Sequence, residues 1–244
     1  MNSIKKMGNY RVLFFGTWGY GRAGLEGLLA CPNVEIVKVF TKWDENQPNV
    51  YMDQVKKLAQ DNKLPCQNTA KDICSKTAFT ESILACEDID IIISCCYDRI
   101  FKAEHLNVAR MKALNVHPSL LPKYRGIKPL ENAMLKGEKE TGITIHELTE
   151  ALDAGDIVLQ NNGISINLDK TYEDLYGEQC VLIATEMRRF FANPMECLLN
   201  AYPQDEAKVT MAPRLAFEIK NWMTVKMVSL AHWGEWGGDI FGNL

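Results

Sequence analysis

The chain contains no C-x-x-C pair, no H-E-x-x-H, no surplus of positive charge and no apolar run near the roughly 20 residues that a membrane helix needs. Each absence removes a class of function. Without grouped cysteines or a helical histidine pair, a zinc ribbon or zinc hydrolase is not expected, and no metal is assigned. The eight cysteines (Cys31, Cys66, Cys74, Cys86, Cys95, Cys96, Cys180 and Cys197) are too dispersed for a disulfide scaffold. With no signal peptide at the N-terminus, they are expected to be reduced thiols of a cytoplasmic protein. Lys and Arg number 27 against 31 Asp and Glu, a net charge of -4, so there is no basic excess to displace counterions from a nucleic acid. Apolar stretches such as Ile89 to Ile93, broken by Asp90, are short, and neither a repeat nor a low-complexity linker is present.

What is present is a soluble globular composition, 47% hydrophobic and 24% charged over 244 residues. Tyr10 to Phe15 is rich in β-formers and runs into a glycine cluster and an apolar helical pattern at Leu25, Leu28 and Leu29. Val34 to Phe40 predicts a second strand, Tyr51 to Leu64 a helix, the surroundings of Cys66 a third strand, and Thr77 to Cys86 another helix. Ile89 to Ser94 has the near-continuous apolar character of a strand buried on both faces. Such alternation predicts βαβ units, hence an α/β, Rossmann-like, doubly wound and mostly parallel sheet. Past a short strand at Leu114 to Val116, Pro118, Pro122 and Pro129 predict a structured loop. Gly142 to Leu148 alternates, with Ile143 and Ile145 on one face and Thr144 and His146 on the other. Ile157 to Ile166 predicts a strand broken by a hairpin turn at Asn162-Gly163, and Thr171 to Phe191 a long helix.

Gly19-x-Gly21-x-x-Gly24, followed by Asp44, satisfies the letter of the dinucleotide fingerprint and makes an NAD-dependent oxidoreductase one alternative. The register is against it. Gly16, Thr17 and Trp18 separate the strand from the first of these glycines, and Trp18 and Tyr20 crowd the place of a pyrophosphate. A noncatalytic nucleotide- or carbohydrate-binding module is the other alternative, though binding alone does not call for the residues that follow.

Asn115-Val116-His117-Pro118-Ser119-Leu120-Leu121-Pro122, continuing through Lys123 to Tyr124-Arg125-Gly126, resembles the signature N-x-H-P-S-L-L-P-x-[FY]-x-G of the 10-formyltetrahydrofolate-dependent formyltransferases. A second part of that signature has its counterpart in Gly142-x-Thr144-x-His146 and, after six residues, Asp153-x-Gly155-x-Ile157. The resemblance covers about Arg11 to Phe191 and implies Asn115, His117 and Asp153 as the catalytic set, with 10-formyltetrahydrofolate as co-substrate. The chemistry suits these side chains. An amide can donate to the developing oxyanion, an imidazole can move protons near neutrality, and a carboxylate can orient the imidazole and raise its pKa. The three are expected to meet at the carboxyl ends of the central strands, with His146 in a supporting, hydrogen-bonding role. His105 and His232 belong to no motif, and Cys95 and Cys96 are expected to form pocket wall.

By the same resemblance the folate's pterin lies between the loop carrying Cys96, Tyr97 and Ile100 and the loop carrying Leu148 and Leu152. The acceptor side falls to Trp18, Tyr20, Tyr124, Arg125 and Gly126. Three acceptors are implied by the family: a nucleotide-linked amino sugar, glycinamide ribonucleotide and methionyl-tRNA. Gly16-Thr17-Trp18-Gly19 departs from the G-S-G-S-N loop of the purine branch, so a glycinamide ribonucleotide formyltransferase stands as an alternative only. About 50 residues follow the long helix, with Lys208, Lys220, Lys226 and Arg214 as their only basic residues, too few for the barrel that tRNA enzymes add. The expectation is therefore a nucleotide-linked amino sugar, with no nucleic acid or membrane partner; the family resemblance leans to a dTDP-linked 4-amino-4,6-dideoxyhexose, N-formylated for surface polysaccharide (O-antigen) synthesis, and leaves a 3-amino sugar and a UDP carrier open. Residues 1–195 are expected to form the catalytic domain and 196–244 a short extension. Its Trp222, Trp233, Trp236 and Phe241 are expected to bury a homodimer interface or wall the substrate site, to which Tyr202-Pro203-Gln204 and Thr210-x-Ala212-Pro213 also point.

Overall fold

The computed structural model describes residues 9–214 apart from 48, 50–52, 72 and 168. The aromatic tail and the homodimer read from it lie outside the described residues. β1 (Tyr10–Gly16), β2 (Val34–Thr41), β3 (Cys66–Asn68), β4 (Ile91–Cys95) and β5 (Lys112–His117) alternate with α1 (Trp18–Leu29), α2 (Gln54–Asp61), α3 (Lys76–Leu84) and α4 (Ala103–Leu106). These strands lie parallel in the order β3-β2-β1-β4-β5, as βαβ alternation requires. After β6 (Arg125–Gly126) and α5 (Pro129–Leu135), β7 (Glu140–Glu147) and β8 (Ile157–Ser165) extend the sheet antiparallel. The mostly parallel Rossmann-like sheet is as expected. α6 (Tyr172–Ala192) is the long helix and opens with a capping box in which Thr171 and Asp174 satisfy each other's backbone donors.

Alternation along the strands sorts the two faces. Val12, Phe14, Ile91, Ile93, Leu114, Val116, Ile143 and Ile145 pack in one core with Leu25 and Leu28 of α1 and Ile183, Met187 and Phe190 of α6. Leu13, Phe15, Phe40 and Ile92 face the other way, towards Phe79 and Ile83 of α3 and Leu106 of α4. That second apolar cover extends to Ala113 and stops. Beyond it, the same face of β5 and β7 carries Asn115, His117, Thr144 and His146. Loops cover these polar residues, and the polar patch begins where the helical cover ends.

The glycines of α1 are explained by close approach. A Cβ on Gly21 would stand 2.7 Å from the backbone of Gly16, one on Gly24 3.3 Å from Cys95, and one on Gly19 2.8 Å from the Tyr176 hydroxyl. They bring the helix down onto β1, β4 and α6. The Asn162-Gly163 pair does not turn a hairpin. β8 runs through it, because pairing with β7 continues to Thr141↔Ile164 and Glu140↔Ser165, and the ladder merely slips by one residue near Ile143. Residues 194–212 are more ordered than irregular: α7 (Pro194–Leu199), a 3₁₀ turn (Glu206–Lys208) and β9 (Met211–Ala212), which pairs with β6. A division at residue 195 falls inside α7. No helix among the described residues is long and apolar enough to cross a membrane.

Two glycine substitutions should move stability in opposite directions. On Gly142, a Cβ would stand 1.8 Å from the carbonyl oxygen of Asn161, so Gly142→Ala must part β7 from β8 and should cost more than about 2 kcal/mol. Gly177, in α6, has nothing within 4 Å, so Gly177→Ala should add about 0.5–1 kcal/mol. Urea unfolding at neutral pH measures both.

Candidate active site

Asn115 and His117 are two residues apart on β5 and therefore share a face; His146 lies opposite Asn115 on β7. The loop between β7 and β8 folds back over them and delivers Asp153. His117 closes β5, so the site begins at a carboxyl end as expected, but it extends along the face of the sheet rather than lying wholly beyond it. The Asp153 carboxylate is only 11% exposed. Its Oδ2 accepts from Gly126 N at 2.9 Å and lies 3.6 Å from His117 Nδ1. Its Oδ1 lies 3.5 Å from Asn115 Nδ2 and 3.6 Å from His146 Nε2. The three implied catalytic residues and His146 thus form one cluster.

Hydrogen-bond partners set the tautomers. His117 Nε2 is 2.8 Å from the carbonyl of Tyr124, which can only accept, so the proton sits on Nε2 and neutral His117 presents the lone pair of Nδ1 towards Asp153. His146 Nδ1 donates in the same way to Glu147 O at 2.9 Å, leaving its Nε2 to accept from Asn115 Nδ2 at 3.1 Å. His146 therefore fixes which end of the Asn115 amide faces the cluster. The second amide hydrogen of Asn115 has only the long 3.5 Å approach to Asp153, which leaves it open to a stronger acceptor.

Burial by itself would raise the pKa of Asp153, but the charge of the two imidazoles once they are protonated, with the Gly126 N–H, outweighs it and holds the carboxyl at about 2. For His117 the balance goes the other way. Burial, with a further push from His146, exceeds the help of Asp153 and the Tyr124 carbonyl, so its pKa is lowered. The aspartate acts in the expected direction and raises it, but desolvation is larger and the net shift is downward. Near neutrality the pair is a neutral base beside a fixed anion.

Backbone strain gathers around this region. Trp18, Cys96, Tyr124 and Asp153 all have positive φ, between 49° and 63°, a conformation costing non-glycine residues of order 1–3 kcal/mol. Gly126, at φ 121°, approaches so closely that a Cβ would lie 2.7 Å from Ala212 O. The proline loop below is tied down by Thr144, whose hydroxyl donates to Ser119 O at 2.7 Å and accepts from Leu121 N at 3.2 Å.

The other implied residues divide. Ile100 (86% exposed) and Leu152 (60% exposed) stand free on their loops. Leu148 packs against the second core, and the Tyr97 ring joins Phe15, Phe79 and Phe101 with its hydroxyl on Thr69 at 2.6 Å. Cys96 is half-buried, its carbonyl accepts from the Thr17 hydroxyl, and burial pushes its thiol up, as it does for Cys95. On the acceptor side, Trp18 is half-buried at the start of α1. Tyr20 does not reach the cluster: its ring stacks on Tyr176 and its hydroxyl donates to Gln179, because α1 packs on α6 with that side inward. Tyr124 is buried with its hydroxyl on Glu138 at 2.7 Å, and Arg125 is buried against Gln204 and Glu206. Tyr124 and Gly126 touch the cluster through their backbones. His105 is a buried structural residue holding Thr80 at 2.8 Å. Gln204 was not singled out for contact with this site, yet it donates to the backbone of the Asp153 loop at 2.7 Å. Only its place in Tyr202-Pro203-Gln204 signalled it.

The chain is similar in sequence and in fold to known proteins. Residues 13–180 match the family described as formyl transferase. A methionyl-tRNA formyltransferase of Lactobacillus gasseri is 31% identical over 89% of this chain and 70% of its own length. The chain spans about two thirds of the length of such curated relatives. Among solved structures, glycinamide ribonucleotide transformylase 1 of Symbiobacterium toebii superposes with a TM-score of 0.65 at 21% identity, over 80% of this chain and 92% of that one. An N-formyltransferase of Helicobacter canadensis, solved with folinic acid and dTDP-3-aminofucose, has a TM-score of 0.63 at 20% identity, over 89% and 80%. At these identities the likeness is one of fold.

The depressed Asp153 value makes a prediction about acid stability. The carboxylate's contribution is complete above about pH 4 and is lost as pH falls towards 2; the drop corresponds to roughly 2–3 kcal/mol. His117, also lowered, contributes stability that is complete above about pH 6.5 and is lost on acidification below it. Asp153→Asn should therefore flatten the fall in unfolding free energy between pH 4 and 2 and deepen the loss that begins below pH 6.5, because His117 loses the carboxylate that raises its pKa. Urea titrations across that range read both limbs.

Proposed function

The chain belongs to the formyl transferase family, and from that premise we propose that it transfers a formyl group from 10-formyltetrahydrofolate to the amine of a nucleotide-linked amino sugar. The observation that carries the reading is the meeting of Asn115, His117 and Asp153 in one enclosed cluster. In the proposed reaction the neutral amine attacks the formyl carbon, forming an N–C bond and placing negative charge on the formyl oxygen. The weakly held hydrogen of Asn115 Nδ2 is the donor available to that oxygen, a contribution typically worth about 10²–10³ in rate. The amine proton passes to the Nδ1 lone pair of His117, directly or through a water held by Asp153, and the imidazolium is then paired with a carboxylate that is already ionised. Returning the proton to the folate nitrogen as its C–N bond breaks releases tetrahydrofolate and the N-formylated product. His146 keeps the Asn115 amide turned the right way.

The acidic balance of the chain supports a small nucleotide-linked acceptor over a polyanion. The second reading, methionyl-tRNA, is favoured by the names of curated relatives such as that of Lactobacillus gasseri. The purified protein should be offered 10-formyltetrahydrofolate with dTDP-linked 4-amino and 3-amino sugars, with methionyl-tRNA and with glycinamide ribonucleotide in parallel. A mass gain of one formyl group on an amino sugar is expected. Formylation of methionyl-tRNA or glycinamide ribonucleotide alone would overturn the acceptor and leave the chemistry standing. With the acceptor in hand, Asp153→Asn should lower kcat by about 10²–10⁴-fold; near-normal turnover would remove Asp153 from the mechanism.

A further inference from the structure

Asp153 sits at φ 49° on a loop whose anchor comes from a distant part of the chain. Gln204 is 8% exposed and all four of its hydrogen-bonding positions are used. Its Nε2 donates to the carbonyls of Asp153 at 2.7 Å and Gly155 at 2.8 Å. Its Oε1 accepts from Arg125 Nε at 3.0 Å and Nη2 at 2.8 Å. Two donations to one oxygen leave the amide a single orientation, with the NH2 group turned to the loop. Arg125 is itself held by Glu206, Nη2 to Oε1 at 2.7 Å and Nη1 to Oε2 at 3.4 Å. The segment bearing Gln204 and Glu206 is stapled at both ends. Tyr202 pairs with Ile157, and β9 pairs with β6, whose Gly126 N–H in turn holds the Asp153 carboxylate.

We infer that Gln204, with Arg125 fixing its orientation, is a positioning residue for Asp153, so that the segment around residues 202–212 is part of the catalytic apparatus rather than an appendage to it. The inference rests on the formyl-transfer reading for its kinetic consequence but not for its geometry. One side chain donates to both carbonyls of a loop whose Asp153 has a left-handed backbone. The arrangement also ties Asp153 to Arg125 and Gly126, which follow Tyr124, the residue whose carbonyl holds His117. Both partners of the proposed proton transfer are therefore referenced to one short stretch of backbone, residues 124–126.

Gln204→Glu isolates the link. A carboxylate keeps two acceptors for Arg125 but cannot donate to either loop carbonyl, so the damage falls on the Asp153 side. The expected result is a fall in kcat of about 10–100-fold, with KM for the acceptor changed less than about threefold. Added to Asp153→Asn, the same substitution should cost almost nothing more, because its effect passes through the missing carboxylate. A multiplicative loss in the double variant would show a general structural role and overturn the inference, as would unchanged kcat in the single one. A second measurement does not depend on activity. His117 faces Asp153 from the β7–β8 loop, His146 from β7 and the Tyr124 carbonyl, so withdrawal of Asp153 should move the His117 imidazole titration, followed by NMR and assigned with His117→Asn, to lower pH. A shifted titration in a protein that formylates nothing would overturn the proposed function and keep the positioning role. An unshifted one would overturn the positioning role whatever the activity. Should Gln204→Glu fail to fold, Arg125→Lys, which gives up the fork on Oε1, should lower kcat about fivefold and only where Asp153 is present.

Discussion

A carboxylate that is nearly enclosed and yet ionised is the constraint around which the polar half of this structure is arranged. Removing Asp153 from water costs several kcal/mol unless its oxygens find partners. The partners are specific: the Gly126 N–H on one oxygen, the Asn115 amide near the other, and two imidazoles at 3.6 Å that become counter-ions when they are protonated. None of these can be moved without leaving a buried charge uncompensated. Hence the left-handed backbone at Asp153 and at Tyr124 persists, and hence residues as distant as Gln204 are drawn in to hold the loop.

The same constraint explains why the site lies on a sheet face. β5 and β7 each spend one side of their alternation on the apolar core shared with α1 and α6, and that burial holds the register. With register fixed by Leu114, Val116, Ile143 and Ile145, the intervening Asn115, His117, Thr144 and His146 are held on the opposite face to the accuracy of a sheet rather than of a loop. The lowered pKa of His117 belongs to this picture. A rigid, poorly solvated platform disfavours the imidazolium until a proton arrives together with the carboxylate's field, which suits a group proposed to accept and return a proton within one turnover.

Much of this is legible in the sequence. βαβ alternation predicts the parallel half of the sheet, and the two motifs bring Asn115, His117 and Asp153 forward because their residue types and spacing have no ordinary structural explanation. What escaped was decided by long-range packing. Asn162-Gly163 carries a local turn preference, but continued pairing with β7 overrides it. Tyr20 and the glycines around it sit at a ligand-binding turn by pattern, whereas the face of α1 that meets α6 is invisible until the two helices are docked. The direction of the His117 shift needed the depth of burial, and a pairwise rule about neighbouring charges does not contain it. Gln204 contacts a residue 51 positions away, and no local pattern announces such a bond.

The cluster over β5 and β7 holds the groups that the proposed formyl transfer uses and nothing that names the amine. The fold is shared with proteins whose names refer to glycinamide ribonucleotide and to a dTDP-linked amino sugar, so a sheet of this kind is compatible with more than one acceptor. Selectivity must then come from the elements laid over the sheet, and these differ in what they ask of the surface. A tRNA is gripped through many phosphates and rewards a basic face by counterion release. A nucleotide sugar presents two phosphates, one base and one hexose, and needs a few donors and a flat apolar wall. The chain carries four more acidic than basic side chains. Among its described loops, the exposed apolar residues Ile100, Leu152, Ile127 and Met211 lie on the segments following β4, β7 and β6 and within β9. Such surfaces favour a compact, partly apolar ligand. That physical contrast, more than any single motif, is what supports proposing a nucleotide-linked amine as acceptor.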